Sequence, residues 1–143
     1  MKNIIFIPII LFLIHQSVFA QEPTRRPQIE FEHGDLVSSN TGRIADGILS
    51  KASKAYSEFF AGVYNEASGI SNIPSILTSG IVYIKFDSSE GHVSYGDYVT
   101  TSNEKGFGMK ASRLGFIIGI ALEDSNNTSG LLKIRLEPCW VEK

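Results

Sequence analysis

The chain has 143 residues, 43% hydrophobic and 20% charged, with 13 basic against 15 acidic side chains and a formal net charge of −2. That length suits one compact domain with its own core, and no basic stripe is present that would suit a nucleic-acid partner. Cys139 is the single cysteine, which excludes a disulfide framework within the chain.

The first residues, "MKNIIFIPIILFLIHQSVFAQ", have the three parts of a secretory signal. Lys2 gives a positive start, Ile4 to Ile14 an almost unbroken apolar core, and Val18-Phe19-Ala20 a small-residue cleavage site before Gln21. The apolar run is too short for a membrane span, which takes about 20 residues, and no cysteine follows it to receive a lipid. Residues 1–20 therefore read as a signal peptide. The expected product runs from Gln21 to Lys143, is exported to the periplasm, the cell surface or the medium, and carries no membrane span.

Residues 21–28, "QEPTRRPQ", are polar with two prolines and read as an exposed leader. From Ile29 the pattern changes: "IEFEH" alternates apolar and acidic and predicts a half-buried strand. "GIVYIKF" puts Val82, Ile84 and Phe86 on one face and Tyr83 and Lys85 on the other. "LLKIRLE" does the same with Leu132, Ile134 and Leu136 against Lys133 and Arg135. "FIIGIAL", residues 116–122, is apolar throughout and predicts a strand buried on both faces. Turn residues separate these pieces at Glu90-Gly91, Gly96-Asp97, Lys105-Gly106 and the "DSNNTSG" stretch 124–130. Many short strands at short intervals predict an all-β barrel or sandwich.

One segment reads differently. Ile48, Leu49, Ala52, Ala55, Tyr56, Phe59 and Phe60 fall at helical spacing, and Asp46 could cap such a helix. An internal repeat argues against it. Gly34-Asp35 matches Gly96-Asp97, Lys51-Ala52-Ser53 matches Lys110-Ala111-Ser112, and Phe60 to Val63 matches Ile117 to Ile120. If the second copy is made of strands, the first should be as well, because pairing overrides local propensity. The expectation is a compact β-barrel or β-clip-like module over 29–143. Its two similar halves are 29–67 and 80–143, joined by an exposed connector over 68–79. An α+β fold with a helix at about 48–60 is the alternative.

The stretches "GIVYIKF", "GHVSYGDYVTTSNEKGFGMKAS", "IIGIALED" and "LKIRLEPCW" together resemble a β-rich module near the carboxyl ends of bacterial and phage tail-fibre, tail-spike and adhesin-like surface proteins. The earlier "FEHGDLVSSN", "GILSKAS" and "FFAGVYNEA" are similar to the half-module that precedes it, so the resemblance covers residues 31–141. It implies a non-catalytic structural or assembly module. Some relatives in fibre ends are autoproteolytic intramolecular chaperones.

The chemical candidates follow from the repeat. Asp35 and Asp97 follow glycines and read as turn residues. Lys110 with Ser112, and Lys51 with Ser53, stand two apart on predicted strands, the spacing of a Ser–Lys nucleophile pair or of an ordinary solvated face. His33 lies near Glu30, Glu32 and Asp35, but alternation sends those glutamates to the opposite face. His92 stands near Asp97 with no ligand motif, and no metal or cofactor is expected. Asn126 and Asn127 carry overlapping glycosylation patterns, relevant only in a host that glycosylates. Cys139 and Trp140, just past the predicted last strand, either plug the end of the core or anchor an interface.

The leading functional expectation is thus a secreted, non-enzymatic module that forms a homo-oligomer or binds a surface protein. An autoproteolytic domain using Ser112 or Ser53 is one alternative. A glycan-binding module presenting Tyr83, Tyr95, Tyr98 and Trp140 is another.

Overall fold

The computed structural model of the chain describes residues 30–45, 47–66, 75–126 and 129–142. The expected signal and leader, Asp46, Asn127 and residues 68–74 of the connector lie outside these.

Among the described residues the structure is all-β, with no helix. Nine strands follow in order: β1 Leu36–Ser39, β2 Leu49–Lys51, β3 Phe60–Asn65, β4 Ser75–Leu77, β5 Gly80–Asp87, β6 Tyr98–Thr101, β7 Gly108–Lys110, β8 Gly115–Ala121 and β9 Ser129–Val141. The first four form a sheet ordered β2-β1-β3-β4, and the rest close a barrel ordered β5-β7-β6-β8-β9.

The alternating segments behave as their pattern demands. Val82, Ile84 and Phe86 of β5 and Leu132, Ile134 and Leu136 of β9 are buried, and the two strands pair antiparallel from Gly80↔Leu136 to Asp87↔Ser129. Val99, Ile118 and Ala121 complete the barrel interior, and Leu36, Ala52, Phe60 and Val63 of the first half join the same core. Burying each large apolar side chain stabilises the fold by about 1.5–3 kcal/mol.

The sequence repeat is a structural repeat in register. Val37 pairs with Lys51 as Val99 pairs with Lys110. Val37 pairs with Gly62 as Val99 pairs with Gly119. Tyr64 pairs with Ile76 as Ala121 pairs with Ile134. The helix considered for 48–60 is absent: β2 ends at Lys51, turns follow, and β3 begins at Phe60.

Three expectations are corrected. The strand expected at 29–33 is not formed over its described residues, 30–33, because the Asp35 carboxylate takes the Glu32 amide (2.7 Å) and Glu32 O takes the Asp35 amide (3.0 Å), closing a turn. The connector is shorter than expected, since Ser75–Leu77 pairs with β3 as β4. The last strand also runs on through Pro138 to Val141, which places Cys139 and Trp140 inside β9. Glu137 and Pro138 both stand opposite Ile118 in a β-bulge, where the ladder tolerates a missing N–H.

The halves are sewn together at the start of β1. Lys85 N donates to Gly34 O (2.9 Å), Leu36 N to Gly106 O (2.8 Å) and Gly106 N to Ala52 O (2.8 Å). This wedge sits where β5 and β7, the one parallel pair among the described residues, meet at Phe86↔Gly108.

Candidate functional site

The residues common to both copies meet as ion pairs. In the first copy, Asp35 is buried at the foot of β1, with Lys51 Nζ 2.8 Å from Oδ2 and Lys85 Nζ 2.9 Å from Oδ1. Lys85 also contacts the Glu32 carboxylate. In the second copy, Lys110 Nζ is 2.8 Å from Asp97 Oδ2, and the Ser94 amide donates to the same oxygen (2.9 Å). Each aspartate thus caps its own turn from the inside and holds the lysine of the following Lys-Ala-Ser.

The electrostatics follow from this geometry. Burial pushes the Asp35 carboxyl up, but bonds from Lys51, Lys85 and the Glu32 amide outweigh it and hold it below the ordinary aspartate value. Burial likewise pushes Lys85 down, and Asp35 and Glu32 reverse this, leaving the ammonium above the ordinary lysine value. Bonding to Lys85 lowers Glu32, and bonding to Lys110 lowers Asp97.

Gly106 lets the chain close over the buried carboxylate. Its φ is +82°, and a β-carbon there would stand 2.6 Å from Asp35 Oδ1. Only glycine meets both demands.

The serines of the two Lys-Ala-Ser motifs face elsewhere. Ser112 Oγ donates to Glu90 Oε2 (2.8 Å), and the Ser112 and Arg113 amides donate to Tyr56 Oη (2.9 and 3.1 Å). Ser53 is exposed. The structure therefore brings Lys110 to Asp97 and Lys51 to Asp35, and sets Ser112 beside a carboxylate. Ser112 also borders a cleft of about 620 Å³ shared with Tyr56, Asp87, Glu90, Glu104 and Arg113. Tyr56 is non-glycine at φ 56°, a conformation pinned by the two amide bonds and by the Arg113 guanidinium 4.5 Å from its ring.

The remaining candidates are dispersed. His33 Nδ1 accepts the Glu66 amide (3.4 Å), and His92 is exposed. Among the described residues no three His, Cys, Asp or Glu side chains are grouped to hold a metal ion. Asn126 is exposed. Cys139 is exposed, and Trp140 is 57% exposed with its ring edge-on to Phe116 (5.8 Å, 72°). The tryptophan lies outside the barrel rather than plugging its core. Tyr83, Tyr95 and Tyr98 are also exposed. Among the described residues no helix is long and apolar enough to cross a membrane.

Sequence reasoning found the Asp and Lys positions but not their partnership. The clue was that both types recur together in each copy. Tyr56 and Glu90 carried no comparable signal. No protein-family model, curated protein or solved structure matches the chain.

Proposed function

We propose that the chain is an exported, non-enzymatic assembly module that self-associates at a cell surface or outside the cell. The observation that carries this reading is the amount of large apolar surface left in water by a small β fold. Ile48 is 73% exposed and Ile81 63%, with Leu114, Leu131 and Trp140 each more than half exposed. Where such side chains adjoin, as Ile48 and Phe59 do along one groove, they suit contact with another macromolecule. The Asp–Lys pairs serve the architecture: they fix two turns and the strands that follow them.

Light scattering on Gln21–Lys143, with and without reductant, tests the proposal. The expected result is a mass above that of the monomer in both conditions. A monomer at every concentration overturns it, and a mass that collapses with reductant assigns assembly to Cys139 alone.

A further inference from the structure

The Asp35 carboxylate is held differently at its two oxygens. Oδ2 takes two donors, the Glu32 amide at 2.7 Å and Lys51 Nζ at 2.8 Å. Oδ1 is buried and has no hydrogen-bond partner among the described residues, although Lys85 Nζ lies 2.9 Å from it. The nitrogen is within ion-pair distance but outside hydrogen-bonding geometry, off the lone pairs of an atom it nearly touches. It also contacts the Glu32 carboxylate, and the centre of the Phe107 ring is 5.8 Å away. The Asp35 side chain is 1% exposed and that of Lys85 18%.

These are the parts of an amide-forming site: a carboxyl carbon, an amine beside it, a base on the amine, and donors on one oxygen. In the second copy Lys110 and the Ser94 amide share Asp97 Oδ2, and among the described residues no second lysine joins them. With a single cysteine the chain has no internal disulfide. A side-chain amide at Asp35 would staple the foot of β1 to β5, and so the first sheet to the barrel.

We propose that Lys85 and Asp35 condense into an intramolecular isopeptide bond, with Glu32 as the base and with Lys51 and the Glu32 amide as donors to the oxyanion. Glu32 carries one proton from the Lys85 ammonium to Oδ1, leaving an amine and a carboxylic acid. The amine nitrogen bonds to Cγ, and the charge of the adduct gathers on Oδ2, where both donors already stand. Glu32 moves a second proton from that nitrogen to Oδ1, which leaves as water. One C–N bond forms, one C–O bond breaks, and Oδ2 becomes the amide oxygen. Both groups rest charged as an ion pair, so the step is slow and the newly folded chain is its reactant. Fixed proximity, worth effective molarities of about 10⁵–10⁸ M, favours a condensation that water otherwise opposes. The inference is independent of self-association.

Intact-mass spectrometry of the purified chain, newly made and after weeks held folded, tests the proposal beside Lys85→Arg and Glu32→Gln. The expected result is a parent that becomes lighter by one water and a digest in which the peptides holding Asp35 and Lys85 are cross-linked. Lys85→Arg keeps the cation and should keep its full mass. Glu32→Gln changes an exposed side chain, and should lose water about a hundredfold more slowly. An unchanged parent mass, or a lost water that maps to a succinimide at Asp35 or to Lys51, overturns the bond. Equal rates in Glu32→Gln and the parent overturn the role of Glu32.

Discussion

Asp35 and Lys51 stand to each other as Asp97 and Lys110 do: Nζ to Oδ2 is 2.8 Å in both pairs, one with its carboxylate fully enclosed and the other partly open to water. The same turn, strand and ion pair occur twice, but Asp35 is buried and holds a second lysine, Lys85.

That difference sets unequal consequences for mutation. Asp35→Ala strands Lys51, leaves Lys85 with Glu32 alone and frees the Glu32 amide. We expect a loss of about 3 kcal/mol, the low end for a broken buried pair because both lysines keep some water. Asp97→Ala removes a partly solvated pair and one backbone bond, for about 1 kcal/mol. Urea unfolding of the two variants checks the order; equal losses would show that burial of Asp35 is not what matters.

Acid acts through the same groups. The Asp35 carboxyl is depressed in the fold from its ordinary 3.8, so its contribution is whole above that value and is lost as pH falls through the folded one. Lys85 is raised above its ordinary 10.5, so its share is whole below that value and is lost as pH rises through the folded one. Stability should be flat between these limits and fall steeply below about pH 4. Asp35→Asn should flatten the acid limb in a pH series of thermal melts, and an unchanged acid limb would assign the fall to other carboxylates.

Gly106 gives a test of close approach. Gly106→Ala meets both the left-handed backbone and the Asp35 oxygen, whereas Gly91→Ala meets a φ of +98° with nothing within 4 Å. Each should lose about 1 kcal/mol from the backbone alone. The extra loss at Gly106, read from paired denaturation curves, reports the contact with Asp35.

Tyr56→Phe removes the oxygen that accepts the Ser112 and Arg113 amides. A loss of about 1 kcal/mol is expected, with faster hydrogen exchange at those two amides. Unchanged exchange there would mean that the hydroxyl does not hold the loop.

How far these arrangements were legible in the sequence depended on whether the signal was local or came from pairing. β5 and β9 declared themselves through period-two alternation, because each has one face in the core. The repeat then overruled the helical spacing around Tyr56, since matched residues must find matched partners. At Glu30–His33 the alternation was present but idle: the Asp35 side chain, three residues on, took the Glu32 amide that a neighbouring strand would have needed. Pro138 looked like a terminus because the bulge that excuses it exists only in the pairing with β8, which lies far off in the sequence. No local pattern forecasts a tyrosine in a left-handed turn, where loops from two halves impose the conformation.

β9 pairs on one side with β5 and on the other with β8, and this orders events in time as well as in space. While the chain is being made, neither neighbour can find its partner until residues 129–141 have emerged, so the barrel cannot close from its beginning. Until then the earlier strands stay open, and pairing between such distant segments makes closure slow. That is a condition in which a chain can still be threaded across a membrane before it folds.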